Sequence, residues 1–212
     1  MTYLFVELLA DTSGWTPQQS NEIFRLDLET LLHKDGPASE ALLADAAAHP
    51  LEKIVAVLSD LESWHSGAEG REAALEARLE RVRRLAGSFT EASDRARIRA
   101  DLEKRLTSFR AVPWWAMGMA SLSELLEAGD VPDNLVLARA AAREGAAAFP
   151  DSAGGKRCLS IVRRIEAPDY RIAAMTSDGR QRRSIEVTQA PGSTRSRTRT
   201  TPAAPARGAP AA

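Results

Sequence analysis

The chain has 212 residues, 44% of them apolar and 27% charged, with 28 basic and 29 acidic side chains and a formal charge of −1. That balance excludes a fibrous or wholly disordered chain, and the lone cysteine, Cys158, excludes an intramolecular disulfide and a cysteine-based zinc site of the usual four-ligand kind. Residues 189–212 carry Arg195, Arg197, Arg199 and Arg207 and no acid, so they hold +4 and the other 188 residues hold −5, a body with no reason to seek nucleic acid.

Only 5% of the residues are aromatic and alanine is abundant, which favours closely packed helices over a sheet sandwich. The first apolar run, Tyr3 to Val6 and Leu8 to Ala10, is interrupted by Glu7 and has no basic leader. It reads as neither a signal peptide nor a membrane span, and as written the product is expected in the cytoplasm. Thr16-Pro17 offers an N-cap followed by proline at the first helical position. Phe24, Leu28, Leu31 and Leu32 then form one apolar face of a helix that Asp35-Gly36-Pro37 stops, and a short alanine-rich helix follows from about Ser39.

Two strongly periodic helices come next. Leu51, Ile54, Val55, Leu58 and Leu61 make one stripe; Leu75, Leu79, Val82, Leu85, Ala86 and Phe89 make another, with Gly67 and Gly70 at the turn between them. Thr90 is placed to cap a helix striped by Ile98, Leu102, Leu106 and Phe109, and Pro113 restarts the chain at Trp115, Met119, Leu122 and Leu126. Gly129 and Pro132 end that helix, and Asp133 caps one that carries Leu135, Ala138, Ala142, Gly145 and Phe149 on one face. Pro150-Asp151-Ser152 punctuates once more before Cys158, Val162 and Ile165. The expectation is an all-α fold over residues 1–167, about eight helices joined by short turns and stacked as antiparallel hairpins in a TPR-like bundle or solenoid.

After Pro168 the period falls to two. Tyr170, Ile172 and Ala174 alternate, Ser177-Asp178-Gly179 signals a turn, and Ile185 and Val187 alternate again. Residues 168–188 therefore read as a β-hairpin, the start of an incomplete β-domain, because a lone hairpin is marginal in water. Residues 189–212, rich in Arg, Pro, Ala and Thr, lack the apolar side chains that offset ordering entropy and are expected to be disordered. GC-rich codons specify just such residues, so a shifted reading frame after Thr188 would generate this composition.

No constellation carries catalytic, cofactor-binding or metal-binding chemistry. His33, His49 and His65 sit near helix ends in three different elements, where histidine suits the C-terminal dipole. Trp114, Trp115, Met117 and Met119 have the spacing of a bulky core. Arg81, Arg83 and Arg84, and Arg95, Arg97 and Arg99, are interleaved with Glu76, Glu80, Asp94, Asp101 and Glu103, so they read as a solvated, salt-bridged face. Gly154-Gly155-Lys156 lacks the spacing of a phosphate loop and reads as a loose helix start, and Cys158, on an apolar stripe, as an inert core thiol.

Residues 137–188, "LARAAAREGAAAFPDSAGGKRCLSIVRRIEAPDYRIAAMTSDGRQRRSIEVT", resemble a junction in the N-terminal helical region of large bacterial alpha-2-macroglobulin family proteins. There a TPR-like segment ends in a phrase like Phe149-Pro150-Asp151-Ser152 and a helix closing on Ile165-Glu166-Ala167-Pro168, before the first strands of a β-domain. "ADTSGWTPQQSNEIFRL" and "FRAVPWWAMGMASL" are similar to the same region. The thioester segment of many family members is not matched, since Cys158 is followed by Leu159-Ser160-Ile161. The resemblance implies a truncated, non-enzymatic helical scaffold that contacts protein partners within a protease-trapping protein of the periplasm or cell envelope. The alternative is a small cytosolic binding module whose basic C-terminal arm contacts nucleic acid or an acidic partner.

Overall fold

Side-chain caps, two of them followed by proline, begin four of the helices. The computed structural model describes residues 1–129, 131–167, 170–174 and 185–189. Among them the α-helices are α1 (Thr2–Ala10), α2 (Pro17–Asn21), α3 (Leu28–His33), α4 (Glu40–Ala44), α5 (Pro50–Trp64), α6 (Arg71–Ser88), α7 (Ala92–Leu106), α8 (Trp115–Glu127), α9 (Asn134–Ala148) and α10 (Ala153–Glu166). Thr16 accepts from the Gln19 N–H while the Gln19 side chain accepts from the Thr16 N–H, a closed capping box with Pro17 at the first helical position.

The described residues up to 167 hold helices and no strand, as expected, but ten α-helices rather than about eight. The difference lies before residue 45, where a single expected helix is broken into α2, a 3-10 turn at Ile23–Arg25 and α3. Asp27 causes the break: its carboxylate accepts from the Glu29 and Thr30 N–H groups, so α3 begins there instead of continuing from upstream. Leu28, Leu31 and Leu32 are buried as their spacing predicts, whereas the side chain of Phe24 lies outside the described residues. Thr90 is not the cap expected: α7 starts at Ala92 with Glu91 at the N-cap. Asp133 holds its N-cap position in a left-handed conformation, φ 58°, and makes no side-chain cap bond. Instead Asn134 Nδ2 donates to the carbonyls of Glu127 (3.1 Å) and Gly129 (3.0 Å), satisfying acceptors that the end of α8 leaves free.

The main core is contributed by α3 and α5 to α10, with Leu75, Leu85, Ile98, Leu102, Ala120, Ala142 and Cys158 at its centre. Its closest pairings are α5 with α6 and α8 with α9. Trp115 is buried, with Nε1 donating to Leu106 O at 3.1 Å, and Met119 packs beside it, in keeping with a core role for that stripe. Glycines let α8, α9 and α10 approach. A methyl group at Gly145 would meet Cys158 Sγ and Met119 Cβ, and one at Gly154 would run into the backbone at Met117. The Gly154-Gly155 pair is thus tightly packed and is not the loose helix start expected. A smaller cluster joins Val6 of α1 to Ile54, Val57 and Leu58 of α5.

Two compact units divide at Ile165 and Glu166. In the second, strand β1 (Tyr170–Ala174) lies antiparallel to β2 (Ile185–Gln189), with Ile172 opposite Val187. The expected turn at Ser177-Asp178-Gly179 and the tail after Gln189, on which the disorder and basic-arm expectations fall, lie outside the described residues. No described helix is long and apolar enough to cross a membrane.

Candidate functional site: an apolar cleft above a buried arginine cluster

Helix α5 has two working faces. Val57, Asp60, Leu61 and Trp64, at i, i+3, i+4 and i+7, share one side of it. Ser59 and Glu62 lie on another side and meet α6. The first side lines an open cleft of about 550 Å³ between α1, α4 and α5, to which Met1, Phe5 and Leu43 also contribute. Trp64 is 84% exposed, and beside the cleft α1 presents Leu4 and Leu8 at 75% and 70% exposure. Leu4 and Leu8 are four residues apart, so they lie on one face of α1, while its other side carries buried Val6.

Polar contacts hold α1 in place. Trp15 Nε1 donates to Leu9 O at 2.8 Å, and Glu7 accepts from Arg83 (3.5 Å) and Arg84 of α6. Arg83 and Arg84 also bind Glu80, at 2.7 and 2.6 Å, so these two arginines do form the salt-bridged face that their spacing predicts. Burial works against ionisation of Glu80, but the hydrogen bonds from Arg83 and Arg84 outweigh it and hold the carboxyl below its usual range.

Beneath the cleft the other face of α5 meets two cations. Arg81, expected on the solvated face, is 1% exposed, and Arg78 is fully buried. Arg81 Nη1 donates to Lys34 O at 2.8 Å and to Ser59 Oγ, and its Nη2 donates to Leu32 O at 2.9 Å. Arg78 Nη1 reaches the same Leu32 carbonyl at 3.1 Å. These carbonyls end α3, where unpaired acceptors and the negative end of the dipole favour a cation. Glu62 approaches Arg78 Nε at 3.4 Å and Arg81 Nη2 at 3.8 Å, and Asp101 of α7 approaches Arg78 Nη1 at 3.9 Å. Four helices, α3, α5, α6 and α7, are therefore tied through two guanidinium groups. Burial, only partly offset by Arg78, holds Glu62 above the usual carboxylate range, and the same burial lowers Arg78.

The histidines are not brought together. His33 is in the last turn of α3 and His65 is the C-cap of α5, as expected. His49 is at the opposite end of its helix from the position expected: it is the N-cap of α5, with Nδ1 accepting from Leu51 N at 3.0 Å and Nε2 donating to Gln19 O at 2.7 Å. Its ring stacks edge-on against Trp15, centroids 5.1 Å apart. No group of three or more His, Cys, Asp or Glu side chains among the described residues is arranged to hold a metal ion. Cys158 is buried, its Sγ donating to Ala116 O at 3.3 Å, and burial followed by the charge of Glu124 pushes the thiol up to about 11.

Two features here were legible in the sequence yet hidden by their company. Arg78 and Arg81 fall between Leu75, Leu79, Val82 and Leu85 at core spacing, so the stripe itself places them inside. Val57, Leu61 and Trp64 repeat at i, i+4 and i+7 beside the main stripe of α5, which marks a second apolar face. Fold and site together define an all-helical unit that exposes an apolar cleft. No family model, curated protein or solved structure matches the chain.

Proposed function

We propose that the helical unit is a non-enzymatic scaffold, built from TPR-like helix pairs, that offers the α1–α4–α5 cleft to another protein. The exposure of Trp64, with Leu4 and Leu8 beside it, carries this reading. A large aromatic side chain left in water next to a run of apolar neighbours is the composition of an interaction site, and Trp is enriched among the anchors of such sites. Leu4 and Leu8 stand on α1 outside the lining of the cleft, so a small molecule filling it would leave those side chains in water, whereas a helix lying along α1 could cover them too. The α5–α6 and α8–α9 pairs favour the TPR-like description, and the pairing of β1 with β2 favours a β-domain beginning there. Both fit the N-terminal part of a bacterial alpha-2-macroglobulin-like protease-trapping protein.

Binding of an uncharged amphipathic helical peptide, leucines on one face and glutamine and serine on the other, tests the docking role. The emission of Trp64 should shift to the blue as the peptide is added, and Trp64→Lys, followed through the anisotropy of a fluorescein-labelled peptide, should show no binding while its circular dichroism stays unchanged. An emission spectrum that ignores the peptide, or equal binding by Trp64→Lys, removes the reading.

A further inference from the structure

We infer that the occupant of the cleft is a basic amphipathic helix of another protein; this rests on the docking role proposed above. Charge supplies the argument. Residues 1–66 hold eleven acids against three bases, Arg25, Lys34 and Lys53, a formal −8, while residues 67–212 hold 18 acids against 25 bases, +7. The two together give the −1 of the whole chain. The acidic third is the part that builds the cleft. Its walls α1, α4 and α5 carry Glu7, Glu40, Glu52, Asp60 and Glu62 against one base, Lys53.

Several of these acids are already engaged: Glu7 with Arg83 and Arg84, Glu62 with Arg78 and Arg81, and Glu52 with the N-cap of its own helix. Asp60 and Glu40 are exposed, and Asp60 lines the cleft directly, together with His65 and Met1. Asp11 and Asp45 of the same third are exposed as well, while Asp35 stands 4.0 Å from Arg105. An apolar floor inside an acidic field selects a ligand that is apolar on one face and cationic on the other, and the field raises its encounter rate. Two copies paired through this same face would bring two acidic thirds together, and an anionic lipid surface would be repelled for the same reason, so neither of these arrangements fits.

The experiment compares three synthetic helical peptides with one leucine stripe and polar faces of lysine and arginine, of glutamine and serine, or of glutamate. Each carries fluorescein and is titrated with the full chain, with the anisotropy of the peptide as the readout. The basic peptide should bind about tenfold or more tighter than the acidic one at low salt, and raising the salt to about 0.5 M should erase most of that margin. Asp60→Lys should weaken the basic peptide and strengthen the acidic one, and Trp64→Ala should weaken all three. If the neutral peptide binds and the charged pair bind equally, the charge inference is overturned while the docking role stands. If none binds, the docking role itself is lost. Vesicles rich in phosphatidylglycerol that shift Trp64, or sedimentation showing a dimer that protects Trp64 from quenching, would replace the proposed partner with a membrane or a second copy.

Discussion

Replacing Arg81 by methionine probes the cluster beneath the cleft. Methionine keeps most of the aliphatic volume but removes the cation from Leu32 O, Lys34 O, Ser59 Oγ and Glu62. Three hydrogen bonds from a charged donor are together worth roughly 5–9 kcal/mol, taken singly at about 1.5–3. Against this, the variant no longer pays the desolvation cost of a buried guanidinium, and Arg78 still reaches Leu32 O. The net loss should be about 3–5 kcal/mol, the usual result of removing one partner from a buried ionic group. For a domain of this size each kcal/mol lowers Tm by about 2–4 °C, so the midpoint should drop by roughly 6–20 °C. Urea unfolding followed by far-ultraviolet circular dichroism gives the free energy directly, with an unchanged slope showing that the folded state keeps its compactness. Arg83→Met, at a largely exposed ion pair on the same helix, serves as the control and should cost less than about 1 kcal/mol. A loss from Arg81→Met no larger than the control would refute the claim that these guanidinium groups tie α3 to α5 and α6.

Three further outcomes follow from the packing and the charges. Because Glu80 has a lower pKa folded than unfolded, its stabilisation is complete above its ordinary 4.5 and is lost as pH falls through the folded value. Glu80→Gln should flatten that part of the acid limb, and an unchanged pH dependence of the urea midpoint would contradict the role of Arg83 and Arg84. Gly154→Ala drives a methyl group into the backbone at Met117, which cannot turn aside as a side chain would, so it should cost about 2–3 kcal/mol in the same urea assay. An alanine variant as stable as the parent would show that α8 and α10 can separate without penalty. Cys158, buried and with its thiol pushed up to about 11, should react with a maleimide only at the rate of unfolding. Prompt labelling of the native protein at neutral pH would mean that the α8–α10 packing opens locally.

The amino-acid sequence by itself determined the helical class, most of the helix positions and the inward stripes. Leu51, Ile54, Val55 and Leu58 are buried where their period of 3.6 places them, and so are Ile98, Leu102 and Leu106. Local chemistry sufficed there, because apolar spacing and a capping box act within one or two turns of chain. Asp27 and Thr16 are both local caps and both are used, so that one expected helix becomes two. Tertiary structure alone decided which polar groups went inside. Arg81 and Arg83 stand two residues apart in one basic run, yet one is enclosed by α3 and α5 while the other faces water. Their fates differ because carbonyls at the end of α3, 47 and 49 residues distant in sequence, turn toward Arg81. The cleft is of the same kind: Phe5, Leu43 and Trp64 belong to three helices, and their apolar side chains become one surface only when α1 packs on α5. Spacing along a chain fixes which side of a helix a residue occupies, but whether that side meets protein or water depends on contacts between distant segments.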